Sequence, residues 1–365
     1  MLINGNHYHT IWVKEDDTKT VQIIDQRLLP FEFKICDLKT VEQTYTAIKD
    51  MWVRGAPLIG VTAAYGMYLG LLSLEDQSDW QRKINKIAGY LESARPTAVN
   101  LKFAINLILD KIKIKESIQE KIEIAFETAN QLKKDEIENC RLIGENGIHF
   151  IEEISKAKKG ETVNILTHCN AGWLACVDYG TATAPIYLAH QKGIKIHVWV
   201  DETRPRNQGA RLTAYELEQQ GIKHTLIADN TGGLLMQKGM VDMVIVGSDR
   251  TTANGDVANK IGTYLKALAA HDNKIPFYVA LPLSTIDWNM QDGVKNIPIE
   301  ERDENEIKYI EGWHNNQITK VRLTPKNSQA VNYGFDVTPA KYVTALITEK
   351  SVCKAEFDEI RKLRK

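Results

Sequence analysis

Residues 163–178 read VNILTHCNAGWLACVD, and the fold turns on how this stretch is parsed. Val163–Thr167 is apolar and β-branched, the composition of a buried strand. The five residues that follow, His168-Cys169-Asn170-Ala171-Gly172, are small or polar, and a helix is predicted from about Thr181. A strand, a small-residue loop and a helix in succession form the unit from which α/β sheets build their sites. A cysteine stands at the centre of this loop. Taken alone, Cys169 is equally well explained as a free cysteine of the core.

Downstream the unit repeats. Further strands are predicted at 195–200, 224–228, 243–246 and 277–281, with helical segments between them. Most crossovers span roughly 20 to 35 residues, as parallel βαβ units require. The expectation is a Rossmann-like, doubly wound parallel sheet. Each strand runs into a polar loop: 168–172, 201–209, 229–233, 247–256 and 282–287. These loops hold most of the chemically able side chains of this half. In a parallel sheet they gather at the carboxyl edge, where open α/β sheets bind ligands.

Upstream the pattern differs. Short strands are predicted at 10–13, 21–24 and 31–35, the first two separated by a turn at Glu15-Asp16-Asp17. Apolar residues at three- and four-residue spacing then predict helices near 40–51, 57–74, 79–92, 97–115 and 118–157. The chain is therefore read as α/β with two domains. Residues 1–140 form a small β-ribbon with helices, and residues 141–365 form the Rossmann-like domain. Two interruptions stand out. In Arg54-Gly55-Ala56-Pro57 the proline is placed to open a helix, and small residues leave backbone N–H groups free for an anion. Ser93-Ala94-Arg95-Pro96-Thr97 reads as the same construction. Either is also explained as an ordinary turn with a solvated arginine.

Composition narrows the function classes. The chain has 365 residues, a formal net charge of -1 and 43% hydrophobic residues, which argues against a general nucleic-acid binder. No apolar run is long enough to span a bilayer, and Met1–Asn6 does not open a signal peptide. Five cysteines without a CxxC pair suggest neither a disulfide framework nor a zinc ribbon, and fit a reduced, cytoplasmic location. The basic run 361–365 reads as a solvated helix end. Neither G-x-G-x-x-G nor a P-loop follows a strand, and the histidines do not cluster at metal-ligand spacing. No cofactor and no metal is implied. A Cys–His pair meeting in space stays open, although His168, as the chain neighbour of Cys169, is a poor candidate for it.

Long motifs extend this reading: RGAP at 54–57, ARPTAVNL at 94–101, ILTHCNAG at 165–172, DETRPRNQGARLTAYEL at 201–217, VGSDRTTANGDVANKIGTY at 246–264 and FDVTPAKYVTALITE at 335–349. Through them the chain, from about Arg54 to Glu349, resembles the family that joins methylthioribose-1-phosphate isomerases to the regulatory subunits of the guanine-nucleotide exchange factor of translation initiation factor two. The isomerase branch is the closer match. Asn332-Tyr333-Gly334 departs from the more usual Asn-Pro-Ala of that family. The resemblance implies catalytic roles for Cys169 and Asp249, and substrate binding by Arg54, Gly55, Ala56, Arg95, Gln208, Asn259 and Lys260. It also implies a small sugar-phosphate substrate, a homodimer, and conversion of 5-methylthioribose 1-phosphate to 5-methylthioribulose 1-phosphate in methionine salvage. Isomerases of 5-deoxyribose 1-phosphate or ribose 1,5-bisphosphate, and a non-enzymatic translation-factor subunit, are the competing readings. For Asp249 the bland alternative is an ion pair with Arg250. For Cys169, cations nearby could favour the thiolate and a dianionic phosphate bound close by would oppose it; the residue could abstract the C2 proton as a thiolate or stabilise the polarised state during a hydride shift.

Overall fold

The structure, a computed structural model, describes residues 1–74, 79–96 and 98–364. Thr97 of the second arginine loop and Lys365 of the basic run lie outside the described residues.

After a short hairpin, Leu2–Ile3 with Asn6–His7, comes an antiparallel meander of Ile11–Lys14, Asp17–Ile24 and Ile35–Leu38, in the register Ile11↔Ile23 and Val21↔Leu38. The meander's third strand starts at Ile35, where sequence alternation predicted it to end. Phe31 and Glu32 instead close a turn on the Leu28 carbonyl. The alternation arises because Phe31 stacks on Trp313 and Phe33 meets Tyr8 edge-on.

Five helices follow: α1 (Val41–Lys49), α2 (Ala56–Leu72), α3 (Trp80–Glu92), α4 (Val99–Lys113) and α5 (Ile118–Ala157). Helix α2 is apolar on every side, and 15 of its 17 residues are buried, so it forms the centre of this bundle. Neighbouring helices approach it closely at glycines: a Cβ on Gly60 would sit 3.0 Å from the Asn100 carbonyl oxygen of α4. Helix α5 starts at a Ser117/Glu120 capping box and runs 40 residues. Its Ala125, Ala129 and Leu132 belong to the helical core, whereas Ile143, Ile148 and Ile151 belong to the core beneath the large sheet. Position 140, the expected domain boundary, thus falls inside a helix that serves both cores.

The large sheet has seven strands in the order Val352–Cys353, Ala345–Ile347, Phe277–Ala280, Met243–Val246, Val163–Thr167, Ile196–Asp201, His224–Ile227. All neighbouring pairs are parallel except Ala345–Ile347 with Val352–Cys353. The first strand in sequence is therefore central. The second and third lie to one side and the fourth to seventh to the other, the parallel ones in the doubly wound order. The topological switch point lies between Val163–Thr167 and Met243–Val246, paired as Ile165↔Met243. The loops that leave these two strands carry Cys169 and Asp249. After the first loop the helix begins at Ala184, three residues later than expected.

The predicted loop 247–256 contains a strand. Arg250–Thr252 pairs with Val257–Lys260 as a hairpin, in a second sheet completed by Ile286–Asp287 and Phe335–Thr338. The exposed hairpin Tyr309–His314/Gln317–Arg322 is a further element. No helix of the described residues is long and apolar enough to cross a membrane.

Candidate active site

A cleft of about 1030 Å³ opens at the switch point. All nine residues singled out from the sequence line it: Arg54, Gly55, Ala56, Arg95, Cys169, Gln208, Asp249, Asn259 and Lys260.

Backbone geometry places them. Gly55 caps α2 at φ 91°, and a Cβ there would lie 2.3 Å from the Ala175 carbonyl oxygen, so only glycine fits. Ala56 opens α2 and Pro57 follows it, so the N-terminus of a 17-residue helix points into the cleft. The second arginine loop is built differently. Pro96 lies in a turn, and α4 begins only at Val99 behind an Ala98 cap, so Pro96 does not lead the helix. Lys260 and Asn259 come from the second sheet, at the end of the hairpin that Asp249 begins by donating its N–H to the Ala258 carbonyl.

Cys169 is held in the left-handed region at φ 68°. Its N–H donates to Thr203 Oγ1 at 2.8 Å and its carbonyl accepts from Thr213 Oγ1 at 2.7 Å. Its thiol donates to Gln208 Oε1 at 3.6 Å, with Arg54 Nη2 at 3.9 Å on the other side. Arg54 is fixed by Asn170, donating to its side-chain oxygen and, at 2.8 Å, to its carbonyl oxygen. Asn170 in turn donates to Glu216 Oε1 at 2.9 Å, which also takes the Leu174 N–H, while Tyr187 donates to Oε2. Gly172 is needed here, because a Cβ would land 1.6 Å from Glu216 Oε2. Asn170 and Glu216 were not among the expected site residues, although both lie within the quoted motifs.

Electrostatics in the cleft favour neutral forms. Burial pushes the Cys169 thiol up; Arg54 and Lys260 oppose this without overcoming it. Of the two forms that the sequence leaves open, burial therefore favours the thiol, which the hydrogen bond to Gln208 also requires. Burial raises the Asp249 carboxyl against the pull of Lys260, Arg54 and Arg95, although it keeps some surface open to the cleft. Burial likewise lowers Lys260 and Arg95, the latter against Glu300, whose carboxylate lies 3.5 Å from Arg95 Nη2. Arg250 pairs with Asp287 at 3.3 Å, which removes the bland explanation of Asp249.

His168 has both ring nitrogens engaged, Nδ1 with Asp201 at 2.8 Å and Nε2 with the Ile261 carbonyl at 2.8 Å. No nitrogen is left to take a proton from Cys169. His168, Asp201 and Asp229 converge like metal ligands, but the Lys266 ammonium already sits among them, 3.2 Å from Asp201 and bonded to the Asp229 carbonyl. The loop at Asp229 does not line the cleft. Its carboxylate instead accepts the Thr203 and Arg204 N–H groups and braces the loop that carries Gln208.

Residues 52–355 match the profile of the initiation factor 2 subunit family. The chain belongs to this family. Among its relatives, methylthioribose-1-phosphate isomerase of Desulfatibacillum aliphaticivorans is 56% identical over 363 residues, covering 100% of this chain and 98% of its own. The crystal structure of 5-methylthioribose 1-phosphate isomerase from Pyrococcus horikoshii superposes with a TM-score of 0.84 at 37% identity, covering 98% of this chain and 96% of that one. Translation initiation factor eIF-2B, subunit delta, from A. fulgidus superposes with a TM-score of 0.79, also at 37% identity, covering 98% and 99%. The family frame thus covers nearly the whole chain, cleft included.

Proposed function

We propose that this chain is an aldose–ketose isomerase converting 5-methylthioribose 1-phosphate to 5-methylthioribulose 1-phosphate, a step of methionine salvage. One observation carries the reading. A single cleft is lined by three cations, Arg54, Arg95 and Lys260, by Cys169 and Asp249, and by apolar side chains. Full-length identity to proteins named for this activity supports it.

The phosphate of such a substrate sits on the anomeric oxygen, so the ring does not open by itself. Arg54, Arg95 and Lys260, with the N–H groups opening α2, bind the phosphate. Asp249, whose carboxyl burial shifts toward the protonated form, gives a proton to the ring oxygen, and the C1–ring oxygen bond breaks. Hydrogen then moves from C2 to C1 with its electron pair, the C2 hydroxyl becomes a carbonyl, and its proton returns to Asp249. Cys169, as a thiol, lines the path and orients the C2 hydroxyl. A substrate labelled with deuterium at C2 should keep the label in the product; ready exchange with solvent would instead make Cys169 or another group a base at C2.

The cleft is also lined by the apolar side chains of Met51, Pro57, Ile59, Pro282, Ile297, Pro298 and Phe335, the last with Lys260 Nζ 4.7 Å above its ring. This apolar lining suits a methylthio or methyl group better than a second phosphate, which favours the proposed substrate over ribose 1,5-bisphosphate. A turnover assay on 5-methylthioribose, 5-deoxyribose 1-phosphate and ribose 1,5-bisphosphate, with the first supplied as its 1-phosphate, tests this without added metal or nucleotide. The methylthio sugar should have the highest kcat/KM. No turnover of any of the three, with binding to a translation factor, would support the regulatory reading that the A. fulgidus relative keeps in view. We further propose a homodimer working in the cytoplasm, where the five free cysteines suit a reducing medium. We read the chain as two domains that share α5 near residue 140.

A further inference from the structure

The N-terminal segment directs two histidines at one carboxylate oxygen on the far side of the chain. His7 ends the short strand Asn6–His7, and His9 follows two residues later. His7 Nε2 lies 3.0 Å and His9 Nε2 3.6 Å from Oδ2 of Asp178, and the three atoms lie within 4.8 Å of one another. Sequence spacing did not reveal the group because its third member is 171 positions from His7.

The carboxylate is oriented before any ion arrives. Its Oδ1 takes the Met1 ammonium at 2.7 Å and the Tyr179 N–H at 2.9 Å, leaving Oδ2 to the imidazoles. This is the outer-partner arrangement that fixes metal-ligating groups. Asp178 is buried while the His7 side chain is 58% and that of His9 30% exposed, so the cluster has a rigid base and an open mouth. Ligands about 2.0–2.1 Å from a tetrahedral zinc ion stand roughly 3.4 Å apart, close to the spacing of both imidazoles from Oδ2.

We propose that His7, His9 and Asp178 form a site for a divalent transition-metal ion of the zinc class, with water in the fourth position. Two nitrogens and one oxygen suit zinc or cobalt(II) rather than magnesium or calcium. The ion ties the N-terminal segment to the 176–179 segment, which Thr10 already holds through its N–H to the Val177 carbonyl and its hydroxyl to that of Cys176. Cys176 lines the cleft but Asp178 does not, so the ion is a brace behind the wall and takes no part in turnover.

The test uses the full chain without a histidine tag, stripped with a chelator and titrated with cobalt(II) and then zinc. One cobalt ion per chain should bind, with visible bands of low coordination number, no thiolate charge-transfer band, and displacement by zinc. Zinc should raise the thermal midpoint in a saturable way. His7→Ala and His9→Ala should each weaken binding by more than the roughly 10–100-fold that follows loss of an outer partner, with turnover unchanged. Three results would overturn the proposal: no saturable binding, binding that survives both substitutions, or a thiolate band placing the ion on a cysteine. In those cases the cluster is a plain histidine–carboxylate ion pair.

Discussion

Arg54→Met removes a cation in contact with the Cys169 sulfur and gives a direct test of how the cleft controls that thiol. Nη2 stands 3.9 Å from Sγ. At about 4 Å and an effective dielectric constant of about 20, a full charge pair is worth about 4 kcal/mol. Losing it lowers the thiolate fraction at a fixed pH by roughly three orders of magnitude, at about 1.4 kcal/mol per tenfold. A more basic thiolate is a better nucleophile, with a Brønsted slope near 0.4–0.5, so about half of that loss is regained in rate. The net expectation is alkylation of Cys169 roughly 30-fold slower than in the parent.

The assay is iodoacetamide labelling between about pH 7 and 9, quantified on the peptide that holds Cys169, because Cys36 and Cys353 are partly exposed and also react. In the parent the rate should climb across the whole range, since burial holds this thiol above its ordinary value. Substrate should slow it. Arg54→Lys keeps the charge but loses the fork onto Asn170, and should fall between parent and Arg54→Met. If Arg54→Met, with intact near-ultraviolet dichroism, is labelled as fast as the parent at every pH, Arg54 does not govern the thiol and the electrostatic account of the cleft is wrong.

Cys169→Ala and Asp249→Asn should each lower kcat by about 100-fold or more with unchanged far-ultraviolet dichroism; near-parent turnover in either would remove that residue from the chemistry. Gly55→Ala forces a side chain into φ 91° and onto the Ala175 backbone, so urea denaturation should show a loss of roughly 2–5 kcal/mol, and a parent-like midpoint would contradict the close approach. Burial, aided by Glu349 and Asp135, raises the Glu136 carboxyl from 4.5 to about 8. Its contribution to stability is therefore complete below its ordinary value and lost as pH rises through about 8, a decline in urea midpoint that Glu136→Gln should flatten.

The strands nearest the site were the most legible ones, for a physical reason. Val163–Thr167 and Met243–Val246 are covered on both faces, so nearly every residue is apolar and their ends show as sharp changes of composition. Ala345–Ile347 and Val352–Cys353 are too short for any periodicity and passed unread. Phe31–Ile35 alternates like a strand because its rings have stacking partners outside the sheet. The Arg250–Thr252 strand was hidden by its polar composition. In the cleft, residue types could be placed from motif resemblance, but their couplings could not. Asn170 meets Glu216 across 46 positions and Arg95 meets Glu300 across 205. The protonation of Cys169 stays open in the sequence because cations can be counted there, whereas depth of burial is a property of the fold.

In the proposed reaction, that same balance lets one cleft both hold an anion and keep an acid. Cys169, Asp249, Lys260 and Arg95 are all displaced toward their neutral forms, and burial is the largest cause for each. Their mutual attraction does not offset the loss of water. A bound phosphate dianion acts on the two kinds of group in opposite directions. It stabilises the charged forms of Lys260 and Arg95, whose positive charge it pairs, and it disfavours negative charge on Cys169 and Asp249. In the proposed reaction the substrate therefore secures the proton that Asp249 must deliver to the ring oxygen, and holds the thiol too weakly ionised to act as a base at C2. Glu300 fits the same logic. Paired with Arg95 in the free protein, it keeps that guanidinium aligned at the cleft until a stronger anion arrives to share it.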